Sequence, residues 1–506
     1  MKSCVVRKRL WATEADNATV TIETEPNFGT PKAAIMLLVE TNAATDAFGT
    51  LAEPNAGIVF IGPKGDGTST IFIHSATCNM QDNAGTSANS RRNANTEFLF
   101  SNASRGTTYY RCTSAAFATD KMTLVFANST PQTNGHIEAI CTFFTGDDLT
   151  VGIGTHGVSA TVNTANSFTG FNFQPDVLFV ASTTVQLNTG VSDDARLSWG
   201  CATRLPFKQY TTAFHSETAS GTMTQRSWSS DTRIVYYSTN GTNDIRWSLN
   251  SIDATGFTIL NDPSNSAGTT NILNFLALKS NPTDYALVGL STATATGNQF
   301  TGLGSSGFIP KTLIGGVTNV TAYNTAQATN PGADCLSMFA GNRTDDSVFY
   351  NGTGTITTST ANATVTGTGS SFFVQFAPGF KIYNQAGTSI GTVSSVTSNT
   401  SMTLAANSSI TLSTQPYLFS NQGSYCVSYG GEDDAGTSNV FTRISSNLVT
   451  NVNGATPSNI VVADMTNFDT RPGFNLNYTT SNASARLGWI LAVKNFDANR
   501  RRGRTG

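Results

Sequence analysis

The sequence predicts an all-β protein: three tandem β-sandwich, jelly-roll-like modules, with a small β-barrel inserted in the third. Three observations lead there. One phrase recurs three times along the chain, the composition favours strands and turns over helices, and a Gly- and Thr-rich segment interrupts the third repeat.

The recurring phrase reads TVTIETEPNFGTPKAAIMLLVE from Thr19 to Glu40, SATVNTANSFTGFNFQPDVLFVAS from Ser159 to Ser182, and LSTATATGNQFTGLGSSGFIPKTLIGGV from Leu290 to Val317. Each copy has a Thr/Ala/Asn lead-in, a Phe (Phe28, Phe168, Phe300), a short turn, a Pro (Pro31, Pro175, Pro310) and an apolar run. The Phe residues lie 140 and 132 residues apart, the size of a whole domain and far beyond the ~20–50 residues of a solenoid repeat. Middle and closing phrases repeat as well. RLSWGCATR (Arg196 to Arg204) matches CLSMFAGNR (Cys335 to Arg343), with GIVFIGPK (Gly57 to Lys64) in the first copy. GFTILN at Gly256 matches GFNLNY at Gly473, with MTLVF at Met122. NILNFLALKS at Asn271 matches ARLGWILAVKNF at Ala485, with GHIEAICTFF at Gly135.

These matches divide the chain into module 1 (1–150), module 2 (151–285) and a split module 3 (286–353 and 420–506) around an insert (354–419). Charged residues make up only 12%, about half the usual share, and Thr, Ser, Asn, Gly and Ala fill the gap. Thr and Val favour strands, and Asn and Gly favour turns. The apolar residues alternate or form runs of 4–8 bounded by Gly, Asn, Ser and Pro, which is strand punctuation. The insert reads as strand, Gly-rich turn, strand, turn, strand, a pattern of a small barrel placed in a surface loop.

Function is constrained more by what this sequence lacks. No run of 18 apolar residues predicts a membrane-spanning helix, and the net charge of −3 gives no global field for nucleic acid. The start, MKSCVVRKRLWATEADNATV, lacks the apolar core of a signal peptide, with Arg7, Lys8 and Arg9 where that core would fall; folding in a cytoplasm is expected. Seven cysteines without close pairs read as buried thiols and not as a disulfide framework. His74, His136, His156 and His215 have no metal-ligand spacing. GLGSSG at Gly302 formally matches a dinucleotide fingerprint, but the following FIPKTLIGGV reads as a strand where a helix is required. Four acidic pairs (Asp147–Asp148, Asp193–Asp194, Asp345–Asp346, Asp433–Asp434) could hold calcium or simply favour turns. No carboxylate pair stands out for glycoside hydrolysis. The expectation is a protein that is not an enzyme and needs no cofactor or metal.

Two sets of residues are candidates for binding. Trp228, Tyr236, Tyr237, Tyr425 and Tyr429 could stack on sugar faces beside Asn and Asp, or pack a sandwich core. Arg7, Lys8 and Arg9 near the start, and Arg500, Arg501, Arg502 and Arg504 near the end, could dock on an acidic neighbour or be solvated termini.

The phrase FTGFNFQPDVLFV, Phe168 to Val180, resembles β-sandwich modules in virion proteins of tailed bacteriophages, as do the endings Phe275-Leu276-Ala277 and Trp489-Ile490-Leu491-Ala492. The insert, from Ala363 to Leu404, is similar to small β modules of phage tail and fibre proteins. Its matching residues are Val365, Gly367, Gly369, Phe372, Pro378, Gly379, Ile382, Val393, Val396, Thr400 and Leu404. Module 1 departs from the pattern, with Lys32-Ala33 where Asp176-Val177 would fall. The resemblance implies a structural virion protein assembled in a host cytoplasm, in contact with other virion proteins and forming a homo-oligomer. A tail or fibre role in attachment to host-surface glycan is the first expectation. A capsid decoration or head-fibre role, with three modules mimicking a trimer, is the alternative, and a glycan depolymerase is a third.

Overall fold

The computed structural model describes residues 1–10, 18–43, 47–49, 51, 54–80, 89–101, 108–129, 135–187, 192–216, 225–239, 243–262, 271–303, 307–326, 334–342, 350–370, 372, 376, 380–420, 423–431, 440–453, 458–466 and 472–494. These residues form an all-β structure.

Module 1 runs β1 (Lys2–Leu10), β2 (Thr19–Glu23), β3 (Ala33–Thr41), β4 (Phe48–Gly49), β5 (Asn55–Gly62), β6 (Phe72–Asn79), β7 (Ser90–Ala94), β8 (Phe98–Ser101), β9 (Thr108–Ala118), β10 (Lys121–Ser129) and β11 (His136–Thr145). Module 2 runs β12 (Thr150–Val158), β13 (Ala165–Phe168), β14 (Val177–Ser182), β15 (Ser192–Asp193), β16 (Ala195–Thr203), β17 (Lys208–Ser216), β18 (Gln225–Ser230), β19 (Val235–Thr239), β20 (Asn243–Asp253), β21 (Gly256–Asn261) and β22 (Asn271–Lys279). Module 3 begins with β23 (Tyr285–Ser291), β24 (Gly297–Gly302), β25 (Pro310–Thr318), β26 (Thr325–Ala326) and β27 (Asp334–Asn342). The insert follows with β28 (Tyr350–Asn351), β29 (Thr355–Thr358), β30 (Thr364–Thr368), β31 (Lys381–Asn384), β32 (Ser389–Ser398), β33 (Ser401–Leu404), β34 (Leu412–Gln415) and β35 (Tyr417–Ser420). Module 3 then resumes with β36 (Ser424–Gly431), β37 (Val440–Ser445), β38 (Val449–Asn453), β39 (Ser458–Thr466), β40 (Gly473–Thr480) and β41 (Leu487–Lys494).

Each module is built on a seven-stranded and a four-stranded sheet, and the strand order repeats position by position. The large sheets are β1-β11-β3-β5-β6-β7-β15, β12-β22-β14-β16-β17-β18-β26 and β23-β41-β25-β27-β36-β37-β4. The small sheets are β2-β10-β9-β8, β13-β21-β20-β19 and β24-β40-β39-β38. Large and small sheets share one apolar core per module; in module 1, Met36 and Leu38 of β3 meet Ile22, Phe100, Tyr110 and Leu124 of the small sheet.

The last strand of every large sheet is borrowed. β15 of module 2 closes the sheet of module 1, through Ser192↔Arg91 and Asp193↔Ser90. β26 of module 3 closes that of module 2, through Ala326↔Trp228 and Thr325↔Ser229. β4 of module 1 closes that of module 3, through Gly49↔Thr442 and Phe48↔Arg443. All three donors lie in the same place, directly after the Pro-led apolar strand. The modules are therefore not independent beads in a row. Module 3 returns to module 1, and the three close into a pseudo-threefold ring.

The burial pattern explains why the Pro-led strands read as continuous apolar runs. Strand side chains alternate between two faces, so a strand that is apolar at every position must bury both. In β3, Ala34, Met36 and Leu38 face the sandwich core, whereas Ile35, Leu37 and Val39 face a second core shared by all three modules. β14 does the same, with Leu178 and Val180 inward to its own module and Val177, Phe179 and Ala181 toward the shared core. In contrast, β2 (TVTIE) has only Val20 and Ile22 buried, as suits an outer sheet with one wet face.

The insert forms one nearly closed eight-stranded barrel-like sheet, β28-β35-β31-β32-β33-β30-β29-β34. It has its own core, which includes Val365, Phe372, Ile382, Val393 and Leu404. The V-x-G-x-G-x-x-F spacing has a local cause. A Cβ on Gly367 would lie 2.6 Å from the Phe372 ring, and Gly369 turns with φ +64°.

Candidate functional site

The shared core lies where the three large sheets meet. Trp199 of module 2 sits in it, stacked on Phe179 at 5.5 Å and 8°, 6.2 Å from Phe60 of module 1 and 5.2 Å from Trp489 of module 3. Both indoles have hydrogen-bond partners in another module's neighbourhood: Trp199 Nε1 donates to Gly315 O at 3.2 Å, and Trp489 Nε1 donates to Trp199 O at 3.2 Å. Gly316 is needed there, because a Cβ would lie 2.5 Å from Thr212 Oγ1 and 3.1 Å from Trp199 Cδ1.

Around this apolar centre the modules are joined largely by uncharged hydrogen bonds. Between modules 3 and 1, the Asn342 carboxamide accepts from Val5 N at 3.1 Å and donates to Val5 O at 3.0 Å, in the manner of a strand neighbour. Ser3 Oγ donates to Thr312 Oγ1 at 2.9 Å. Between modules 1 and 2, Asn274 Nδ2 donates to Ser75 O at 2.9 Å and to Asn93 Oδ1 at 3.1 Å. Between modules 2 and 3, Ser229 Oγ lies 2.8 Å from Thr318 Oγ1 and donates to Leu487 O at 2.9 Å. Buried polar groups must be paired, and neutral pairs avoid the larger desolvation cost of ions. The Ser/Thr/Asn-rich, charge-poor composition suits such joints.

Charges enter at a few joints. Asp194, beside the donated β15, accepts from Arg196 at 2.8 Å, lies 3.5 Å from Arg91 of module 1 and faces His215 Nε2 at 3.8 Å. Burial opposes its ionisation, but His215, Arg196 and Arg91 outweigh it and hold the carboxyl well below its usual range. Burial also holds His215 down, to about 4. Lys311 of module 3 pairs with Glu25 of module 1 at 2.5 Å. Met1 N lies 3.0 Å from Asp284 Oδ2 and 3.4 Å from Asp148 Oδ1, so the start of module 1 meets the ends of modules 1 and 2.

The candidate binding aromatics have a different role from the one a surface site requires. Trp228 is fully buried and Tyr236 is 4% exposed, and the two meet edge to face at 6.0 Å in the core of module 2. Tyr425 and Tyr429 are buried in the shared core; Tyr429 packs on Phe214 at 5.8 Å and its hydroxyl donates to Pro54 O at 3.3 Å. These four rings are packing residues and present no face to a sugar. Tyr237 lies in β19, but its side chain is outside the described residues.

The basic triplet is also not a tail. Arg7, Lys8 and Arg9 lie in β1, paired with β11 along its length. Arg7 is fully buried and pairs with Glu138 at 2.9 Å, and Arg9 pairs with the same carboxylate at 2.6 Å. Burial disfavours the charged Glu138, but Arg7 and Arg9 pull its pKa well below the usual range. The Arg7 guanidinium also lies 5.8 Å from the Tyr425 ring of module 3. Arg500, Arg501, Arg502 and Arg504 lie outside the described residues, as do Asp345–Asp346 and Asp433–Asp434.

Among the described residues, no three His, Cys, Asp or Glu side chains converge as a metal set would. All seven cysteines are buried. Burial pushes the thiols up, to about 12 at Cys78 and Cys335 and about 11 at Cys426, far from the range of a working nucleophile. After Gly302 the chain enters β25, a strand. Beside module 1 lie a cleft of about 450 Å³ at its junction with module 2 and a more polar depression of about 690 Å³ next to it.

No known protein family, curated protein or solved structure matches the chain.

Proposed function

We propose that this chain is a non-enzymatic structural protein of a tailed-phage virion, a single-chain pseudo-trimer that seats on a threefold site of the capsid shell and displays its barrel. Closure carries the reading. Repeats in an extended fibre contact only their sequence neighbours, whereas here module 1 supplies a strand to module 3. A rigid body with three near-equal contact sets engages a threefold platform with added avidity from weak contacts. The phrases at Phe168–Val180 and Ala363–Leu404, similar to those of phage virion modules, support the same assignment. Since one chain already supplies three modules, further self-association is not required by this reading.

A tail or fibre role in host attachment is the second reading, favoured by the cleft beside module 1. Quantitative densitometry of purified particles against the major capsid protein separates the two. Hundreds of copies support a shell position, and a dozen or fewer support the tail. A particle without this polypeptide would overturn both.

A further inference from the structure

We propose that module 2 carries an oxyanion-binding site, a row of basic side chains at its joint with module 1 that takes a free phosphate-like ion. Three strands build the row. Arg196 of β16 pairs with His215 of β17, and His215 pairs with Arg226 of β18. Residues in register on antiparallel strands share one face, so the three side chains stand side by side. Trp228, two residues along β18, lies on the same face and packs in the core of module 2. Arg91 of module 1 reaches the same place and donates to Asp194 O at 3.2 Å.

The row is short of acceptors. Asp194 takes Arg196 at 2.8 Å and lies 3.5 Å from Arg91, so among the described side chains three guanidinium groups face one carboxylate. Arg226 is half-buried, and among the described residues its side chain has no hydrogen-bond or ion-pair partner. His215 is fully buried and neither of its ring nitrogens has a hydrogen-bond partner; Asp194, at 3.8 Å, lies beyond that range. Trp228 Nε1 and Arg196 Nε are also buried without a partner. Unpaired buried donors are rare in native structures, and like charges set opposite one another destabilise a sheet. An ion that only accepts answers both conditions. Phosphate offers oxygens to several N–H groups at once and pairs with arginine as a two-pronged fork. Because the imidazole and indole are closed to solvent, the fitting ligand is a small free ion and not a phosphodiester chain.

The same register row in the other modules supplies an independent argument. In module 1 it reads Gly57↔Thr77↔Arg92, and Arg92 has a carboxylate, Glu97 Oε1, at 3.3 Å. In module 3 it reads Cys335↔Gly430↔Phe441, with Cys335 and Phe441 in an apolar cluster. The sandwich is thus built with a neutralised cation in one module and with no charge in another, so its packing does not call for Arg196, His215 and Arg226 together. Asp193 and Glu217, which adjoin the row in sequence, have side chains outside the described residues.

Calorimetric titration of the full-length protein with inorganic phosphate, at an ionic strength held constant with chloride, tests the site. Saturable binding is expected, weakened about tenfold or more by Arg226→Gln and by His215→Asn, less by Arg226→Lys, and unaltered by Arg92→Gln. In phosphate-free buffer Arg226→Gln should melt no lower than wild type, because the charge it removes has no partner there. No saturable binding at millimolar phosphate, or binding that Arg226→Gln retains, would overturn the proposal. So would a clear loss of melting temperature in Arg226→Gln without phosphate, the result that pairing of Arg226 with Asp193 or Glu217 would give, or tighter binding of an oligonucleotide than of free phosphate. The result is independent of copy number in particles, so this inference and the virion assignment fail separately.

Discussion

Replacing Trp199 with Ala asks whether the three modules are one thermodynamic unit. The indole is fully buried and touches aromatic rings from all three modules. Truncating such a side chain costs about 3–5 kcal/mol in lost transfer energy and cavity. It also leaves Gly315 O, now bonded to Trp199 Nε1 at 3.2 Å, without that donor, at about 1–3 kcal/mol. A loss of roughly 6 kcal/mol is then expected, a large share of the ~5–15 kcal/mol that a typical native state holds. The unfolding entropy near the midpoint is about 2.1 cal/mol/K per residue. If module 2 melted alone, with about 130 residues, its transition would fall by about 20 °C on that scale. If the three modules melt together, with about 440 residues, the single transition falls by only about 7 °C. The shared core and exchanged strands predict the second outcome. Scanning calorimetry of wild type and Trp199→Ala measures it, with Trp199→Phe as the milder control. Separate transitions, one displaced by the larger amount while the others stay in place, would refute the argument that closure couples the modules.

Gly49→Val probes one exchanged strand. A Cβ at Gly49 would lie 2.2 Å from Thr41 Oγ1 and 2.5 Å from Thr442 Oγ1, an overpacking worth about 1–3 kcal/mol. Hydrogen exchange should accelerate in β37 of module 3, although the substitution is in module 1; unchanged exchange there would count against the pairing. Acid should destabilise the fold between pH 6.5 and 4. Burial lowers His74 and His215 from an ordinary value near 6.5 to about 4, so within that window the unfolded chain binds more protons than the folded one. Stability is thus fully present above pH 6.5 and declines as pH falls, by roughly 2 kcal/mol per histidine at pH 5. Asp194 and Glu138, both held low, extend the same trend below pH 4. Denaturant titrations across this range check the sign, and a stability that rises on acidification would contradict it. Replacing residues 352–416 by a short flexible linker should leave the melting of the three modules within a few degrees of wild type, because the barrel has a separate core.

Repetition and strand character were legible because they leave marks at every position. The apolar runs at Ala33–Val39 and Val177–Ala181 announce strands buried on both faces, and the structure supplies the two cores that they need. What a run cannot disclose is which surface covers its second face. The exchanged strands explain why closure stayed hidden. They are Phe48-Gly49, Ser192-Asp193 and Thr325-Ala326, two residues each, too short for a period and unlike one another in composition. Their signal is positional only, a shared place after the Pro-led strand.

The misread side chains share a physical cause. Trp, Tyr and Arg carry polar groups that suit a wet surface, and their burial depends on partners distant in sequence. Glu138, which neutralises Arg7, is 131 residues away, and Pro54 O, which accepts from Tyr429, is 375 residues away. Local pattern contains neither partner, so the same residues read as a basic tail or a sugar platform until the fold brings the partners in. The cleft reverses this relation. Phe117 and Ser69 belong to no motif, Asn172 belongs to the recurring phrase, and the three stand on separate connections or strands; only the docking of the β5–β6 loop on β12 places them around one concavity. Folding thus hides the residues that resembled a binding site, Trp228 and Tyr236 in the core of module 2 and Tyr425 and Tyr429 in the core shared by the three modules.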